Sequence, residues 1–526
     1  MLLLASNESR DTQRAELHKA IWGIADEVRG AVDGWDFKAY ILCFLFYRFI
    51  SEDLAEYIDE GEREASGDAS FSYAKLSDED AEMARGDVTK EKGFFILPSQ
   101  LFQNVAEAPE RDPELNIHVK QIFEAIEGSS IGTASEDDFK GLFDDVDVTS
   151  NKLGADLPER NARLAKIIEG IRDLNFGSVR DAQIDLFGDA YEYLMNMYAS
   201  NAGKSGGEFF TPQEVSELLA KIVVGNKTSV NKVYDPACGS GSLLLKFAKL
   251  LGAENVRKGF YGQEKNPTTY NLCRINMFLH HVNFDRFDIA RGDTLLNPKH
   301  WDDEPFDAIV SNPPYSTKWV GDEDPTLIND PRFSPAGVLA PKSKADLAFT
   351  MHMLSWLSSD GTAAIVEFPG VLYRGGAEEQ IRRYLVDSNV VSAVIQLPAN
   401  LFFGVTIATC IIVLSKSKTD DKTLFVDASE LFGHEGNKNK LLPEHIDRIA
   451  RTVIDRTEEE HFSKLVSAAD LGGENRYNLS VSTWVEKKDT REEIDIVELN
   501  ARIKKIVARE NELRNAIDAI VADLEG

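Results

Sequence analysis

The chain has 526 residues, 43% of them hydrophobic and 28% charged, and a formal net charge of −30. That length exceeds one ordinary core and predicts two or three domains of a globular protein, while four cysteines without paired spacing (Cys43, Cys238, Cys273, Cys410) exclude a disulfide scaffold and a zinc site and suit a reducing cytoplasm. The acidic balance excludes a chain that holds nucleic acid through a generally basic surface, so any such contact needs local basic patches and a partner subunit.

In chain order, residues 1–175 read as a helical domain. Leu17, Ile21, Ile24 and Val28 share one face at helical spacing, and Trp35 to Ile50 follows as a more buried helix. Residues 52–87 are rich in Asp, Glu, Ser and Gly and read as an exposed excursion. Leu164, Ile167, Ile168, Ile171 and Leu174 mark a closing amphipathic helix, and no catalytic constellation falls in this part. Met1 to Ala5 lacks the basic flank of a signal peptide, and the longest apolar run, Tyr40 to Tyr47, is too short to span a bilayer. A cytoplasmic protein without membrane contact is expected.

From Asp181 the pattern changes. Asp185 to Tyr198 is helical and leads into Gly203-Lys204-Ser205-Gly206-Gly207-Glu208-Phe209-Phe210-Thr211-Pro212. Gly203 to Ser205 shares the end of a phosphate-binding loop, but Tyr198 stands where the first glycine belongs and no strand precedes it, which excludes a nucleoside triphosphatase. A glycine-rich turn, two aromatics and a Thr-Pro helix start suggest a lid over a ligand. Short apolar segments then alternate with helices at 233–234, 260–261, 287–290, 308–310, 363–366, 390–395 and 410–414. Alternation of this kind predicts an α/β fold with a doubly wound sheet of about seven strands.

The ends of these strands carry the chemistry. The first runs into Asp235-Pro236-Ala237-Cys238-Gly239-Ser240-Gly241-Ser242, where two glycines permit a tight turn and close backbone approach to a ligand. Leu244 occupies the place of the third glycine of a dinucleotide fingerprint, so a smaller adenosine-based cofactor is favoured over a pyrophosphate. The second strand ends at Glu264, a carboxylate suited to ribose hydroxyls, and the third at Asp293. The fourth, Phe306 to Val310, stops at Asn312, Pro313, Pro314 and Tyr315, because two prolines cannot continue a ladder. The Asn312 amide oxygen and the Pro313 carbonyl are two acceptors for one planar amino group, and Tyr315 offers a ring face for a nucleobase. No metal ligand set is called for.

DPACGSGS, GQEKN, GDTL and NPPY, in that order and preceded by GEFFTP, resemble the S-adenosylmethionine-dependent DNA amino-methyltransferases, and more closely the modification (methylation) subunit of type I restriction-modification systems. Trp35 to Lys38, Gly370 to Ala377 with Ile381-Arg382, and Leu397 to Gly404 extend the resemblance over nearly the whole chain. It implies a Rossmann-like methyltransferase domain (176–478) after the helical domain (1–175, docking and DNA-covering), then a C-terminal helical tail (479–526). It implies that Glu208, Phe209, Phe210, Thr211, Pro212 and Gln213, with Asp235, Gly239, Ser240, Gly241 and Ser242, enclose S-adenosylmethionine, with Glu264 at its ribose and Asp293 at its adenine. Asn312 to Tyr315 would receive a flipped adenine from double-stranded DNA.

Recognition of the DNA sequence is expected from a specificity subunit, with a second copy of this chain and a restriction/translocase subunit in the complex. In the tail Ile496, Leu499, Ile503, Ile506, Leu513, Ile517, Ile520 and Leu524 alternate at three and four, interrupted at Glu510, which is a coiled-coil seam for that subunit. Lys318, Arg332, Lys342, Lys344, Arg374, Arg382 and Arg383 are candidates for a local basic rim. A stand-alone N6-adenine or N4-cytosine enzyme, a protein-glutamine methyltransferase and a non-catalytic scaffold subunit stay open at this point.

Overall fold

The computed structural model describes residues 15–24, 34–176, 186–201, 211–321, 324–402, 404–436, 438–488 and 496–526. Val28 and the lid segment up to Phe210, with Glu208 and Phe209, lie outside the described residues. These form two compact units, divided after Val485.

The helical part begins with Leu17, Ile21 and Ile24 buried on one face of a helix. Helix α1 (Gly34–Ser66) buries Tyr40 to Tyr47 without a break, so this run faces core on every side. The helix does not stop at Ile50: Leu54 and Ala55 stay buried, and Arg48 pairs with Glu52 one turn on at 2.6 Å. Residues 60–70 are exposed throughout, as expected of that stretch, but the other residues of 52–87 are anchored to the core. Past α1 they form two short helices, Asp78–Glu82 and Arg85–Lys92, and bury Tyr73, Ala81 and Val88. Charged residues line the outer faces there while widely spaced apolar ones anchor the segment, which a composition window averages away. Helices α2 (Leu115–Ser129) and α3 (Leu157–Asp173) follow. The α3 N-terminus is capped by Asp156, which accepts the Glu159 N–H, and Leu164, Ile167, Ile168 and Ile171 are fully buried as their spacing predicts.

Helices α4 (Leu186–Asn201) and α5 (Gln213–Val224) lead into the sheet. In chain order its elements are β1 (Val233–Asp235), α6 (Ser242–Leu251), β2 (Phe260–Glu264), α7 (Pro267–Leu279), β3 (Phe287–Arg291), β4 (Phe306–Ser311), α8 (Asp346–Trp356), β5 (Leu357–Glu367), α9 (Ala377–Asp387), β6 (Val391–Gln396), β7 (Cys410–Ser415) and β8 (Lys422–Asp427). A small hairpin of β9 (Gly433–Glu435) and β10 (Lys438–Lys440), α10 (Pro443–Asp455) and β11 (Ser463–Ser467) complete it. The strand order is 11-8-6-7-5-4-1-2-3. Strands β3, β2, β1, β4 and β5 run parallel, β7 is antiparallel to both β5 and β6, and β11 is antiparallel to β8.

The seven predicted strands are all present, and the sheet has nine because β8 and β11 join it. Both fall in 420–478, which carries no obvious strand pattern. β8 has three apolar residues, Leu424 to Val426, between polar and charged ends, and β11 is an edge strand with only Ser463 and Val466 buried, the weakest of strand signals. Leu479, Val481 and Val485 are buried too, and Trp484 packs on Phe425 of β8.

The helical part docks on α7. Arg274, almost fully buried, donates from one guanidinium nitrogen to the carbonyls of Asp137, Asp138 and Lys140, and Asn271 donates to Gly141 O and Asp145. Phe46 meets Phe278 at a centroid distance of 6.0 Å. The second unit contains helix α11 (Ile496–Glu525), 30 residues with none buried. Among the described residues no helix is long and apolar enough to cross a membrane.

Candidate active site at the switch point of the sheet

Connections from β1 run outward to β2 and β3 on one side, while β4 and β5 lie on the other, so the crevice between the carboxyl ends of β1 and β4 is the switch point. Ligands of open α/β sheets bind there. The two ends are tied together: Asp235, closing β1, accepts the Ser311 hydroxyl of β4 at 2.9 Å and the Ala237 N–H at 3.0 Å through the same oxygen, Oδ1. Its Oδ2 is buried without a partner. Burial pushes the Asp235 carboxyl up to about 7, against the two hydrogen bonds that favour its ionised form.

The turn after β1 is built for close approach. Gly239 and Gly241 have φ of +54° and +80°, and a Cβ on Gly241 would lie 2.8 Å from Cys273 Sγ and 3.1 Å from Met277 Cε. Helix α7 forms the floor. Asn276 donates to Ser240 O at 2.8 Å, and the Ser240 and Ser242 hydroxyls are 3.1 Å apart. Glu264, closing β2, accepts the Gly239 N–H at 3.0 Å through Oε2 and the Asn266 N–H at 2.7 Å through Oε1. Burial raises its pKa despite these bonds. Asp293, past β3, accepts the Leu295 and Leu296 N–H groups and pairs with Lys265 at 2.9 Å. Gly292 N donates to Glu264 O at 2.9 Å, which joins the two acidic strand ends.

Across the crevice, Asn312 is oriented at both ends of its amide. Its Nδ2 donates to Thr211 Oγ1 at 3.1 Å, and its Oδ1 accepts the Tyr315 hydroxyl at 2.6 Å. One lone pair of that oxygen is thus taken, and Thr211, which the resemblance places at the cofactor, also fixes the amide. Pro212 is buried beside Thr211, and both side-chain polar atoms of Gln213 are buried without partners. Pro313 is buried, and the Tyr315 ring stands edge-on to Phe368 at 4.8 Å and Phe402 at 6.3 Å. Burial raises the Tyr315 phenol well above its usual range, so it stays a donor.

Phe402 lies in the 397–404 segment singled out above, whereas Phe368, Asn276 and Cys273 carry no sequence signal, since each sits in an ordinary strand-end or helical pattern. Two members of the expected basic rim are internal. Arg332 is 1% exposed and donates to Asp330 and to the carbonyls of Thr294 and Leu295, and Arg382 is 2% exposed and donates to Val371 O and Tyr477 O.

With this geometry in place, comparison with known proteins is decisive. The N-6 DNA Methylase family model matches residues 182–493, and the HsdM N-terminal domain model matches 17–171. The type I restriction enzyme MpnII methylase subunit of Mycoplasma pneumoniae is 47% identical over 98% of each chain. The chain belongs to the type I restriction enzyme methylase subunits. A second methylase subunit, MjaVII of Methanocaldococcus jannaschii, is 29% identical over 95% of this chain and 82% of its own length. The crystal structure of a type I restriction-modification system methyltransferase subunit from Streptococcus thermophilus superimposes with a TM-score of 0.81 at 33% identity, over 90% of this chain and all of that one. As a member of this family the methylase subunit is a DNA methyltransferase, and its two family matches cover the helical part and the sheet in turn.

Proposed function

We propose that this methylase subunit transfers a methyl group from S-adenosylmethionine to N6 of an adenine flipped out of duplex DNA, with sequence recognition supplied by a separate specificity subunit. The observation that carries this reading is the bond between Ser311 and Asp235, which sets the glycine turn of β1 beside the Asn312 to Tyr315 segment of β4.

The residues present fit the methyl donor. Gly239 and Gly241 add no side chain to the turn after β1, Asp235 Oδ2 and the Gln213 amide are buried polar atoms without partners, and Glu264 and Asp293 follow at the next strand ends. Thr211 to Gln213, Asp235, Gly239 to Ser242, Glu264 and Asp293 would hold this molecule. When bound it supplies a methyl group on a sulfonium, a leaving group that needs no protonation.

The difficulty lies in the acceptor, an exocyclic amine whose lone pair is delocalised into the base. The free lone pair of Asn312 Oδ1 and the Pro313 carbonyl draw the two amine hydrogens toward them and favour a tetrahedral nitrogen. With the donor bound, that nitrogen would accept the methyl group in line, sulfur would keep the electron pair of the broken bond, and one amine proton would pass to solvent. Tyr315, held by Asn312 and walled by Phe368 and Phe402, replaces the stacking that the flipped base loses.

With a net charge of −30, DNA affinity has to come largely from partners. A specificity subunit that pairs with the α11 seam and contacts the helical part, a second methylase subunit and a restriction/translocase subunit make up the complex. The test is Asn312→Ala in that complex: assembly and cofactor binding are expected to persist while methyl transfer is lost, and retained transfer would refute the assignment.

A further inference from the structure

We infer that Asp346 positions Tyr315, by clamping the residue that follows it in a backbone conformation that serine does not freely hold. The inference deepens the proposed function, since it rests on 312–315 being the pocket for the target base.

Ser316 has a φ of +50°, a left-handed conformation that L-residues other than glycine adopt at a cost. Three hydrogen bonds hold the chain on either side of it. The Ser316 N–H donates to Asp346 Oδ1 at 3.0 Å, the Thr317 hydroxyl donates back to Pro314 O at 3.0 Å, and the Ala345 N–H donates to Thr317 O at 2.8 Å. Two of these three anchor the loop to the N-terminus of α8, whose first residue is Asp346. A carboxylate is well placed there, because the unpaired N–H groups of the first helical turn leave partial positive charge.

Asp346 is 2% exposed and its Oδ2 has no hydrogen-bond partner among the described residues, so this buried carboxyl is held through the Ser316 N–H at Oδ1. Of the groups facing it, Glu367 is buried behind the same loop and bonded to Thr350, and Tyr315 lies within electrostatic reach of both carboxyls. Releasing Ser316 to a negative φ while Thr317 stays tied to α8 rotates the chain before it, and the residue directly before it is Tyr315. Its hydroxyl then leaves Asn312 and its ring leaves the wall made by Phe368 and Phe402. Asp346 is thus a positioning residue, acting on the pocket through the backbone.

The experiment compares Asp346→Ala, Asp346→Asn, Ser316→Val and the double variant Asp346→Ala/Ser316→Gly. Methyl transfer is measured in the complex with its specificity subunit, and amide hydrogen exchange of a peptide covering 312–320 in the full chain. Asp346→Ala is expected to lower kcat about 5- to 30-fold, equivalent to ~1–2 kcal/mol, with the cofactor KM unchanged and the peptide exchanging faster. Asp346→Asn keeps an acceptor oxygen and stays near wild type. Glycine is at ease with positive φ, so the double variant recovers most of kcat although it does nothing for the α8 terminus. Ser316→Val, β-branched at positive φ, reproduces the loss without touching α8 and carries the test if Asp346→Ala does not fold.

Wild-type exchange in Asp346→Ala, failure of Ser316→Gly to recover kcat, or wild-type kcat in Ser316→Val overturns the inference. If the wild-type complex transfers no methyl at all, the proposed function has failed, while the exchange measurement still decides whether the clamp exists.

Discussion

Replacing Gly241 by alanine puts a methyl group where the structure has room for none. The φ of +80° costs an L-residue ~1–2 kcal/mol by itself. The new Cβ meets Cys273 Sγ at 2.8 Å and Met277 Cε at 3.1 Å. Methionine can swing aside, but Cys273 is fully buried on α7 and its sulfur cannot, so overpacking adds about 1–3 kcal/mol. A total of roughly 2–5 kcal/mol follows. Gly337, with a φ of +67° and nothing within 4 Å of a Cβ, supplies the control for conformational strain alone, and Gly337→Ala is expected to cost only ~1–2 kcal/mol. Urea unfolding of the purified chains gives both values from the midpoint shift at constant slope, and calorimetric titration gives S-adenosylmethionine affinity. Gly241→Ala is expected to be the more destabilised and to bind cofactor more weakly. Equal costs for the two variants, with wild-type affinity in both, would refute the packing argument.

Further outcomes follow from the same structure. Thr211→Val leaves the Asn312 amide without its 3.1 Å acceptor, and kcat is expected to fall up to about tenfold, ~1 kcal/mol. Asp235 titrates near 7 when folded and near 4 when unfolded, so the folded chain binds the extra proton between those values. Its contribution to stability is therefore complete below about pH 4 and is lost as pH rises to about 7, by roughly 4 kcal/mol. Asp235→Asn keeps the shared acceptor and lacks this titration, so its stability relative to wild type is expected to rise between pH 5 and pH 8 in parallel urea unfolding. Deleting 486–526 removes no buried side chain of α11, so the thermal midpoint of the isolated chain is expected to hold while co-purification with the specificity subunit is lost.

Much of this was legible because function sits where backbone rules are strict. Two adjacent prolines end β4 whatever surrounds them, and glycines at 239 and 241 declare a turn that needs positive φ, so both edges of the crevice are visible as sequence. Leu164 to Ile171 reveal α3 because one face is buried at helical period. Three things were not legible, each for the same reason: they depend on what lies across the fold. The burial of Arg332 and Arg382 follows from carbonyls brought to them by other segments, and arginine in a loop or on an amphipathic helix otherwise reads as surface. Strand β8 forms on the open edge of β6, and β11 in turn on the edge of β8. The link from Asn312 to Thr211, 101 positions apart, carries no local pattern at all.

Transfer of labelled methyl from S-adenosylmethionine to unmethylated duplex DNA, by this chain alone and with its co-expressed partner subunits, followed by nucleoside analysis, tests the central claim most directly. Label in N6-methyladenine only when the specificity subunit is present is the expected result. An absence of label in DNA under both conditions, with cofactor still bound, would contradict it.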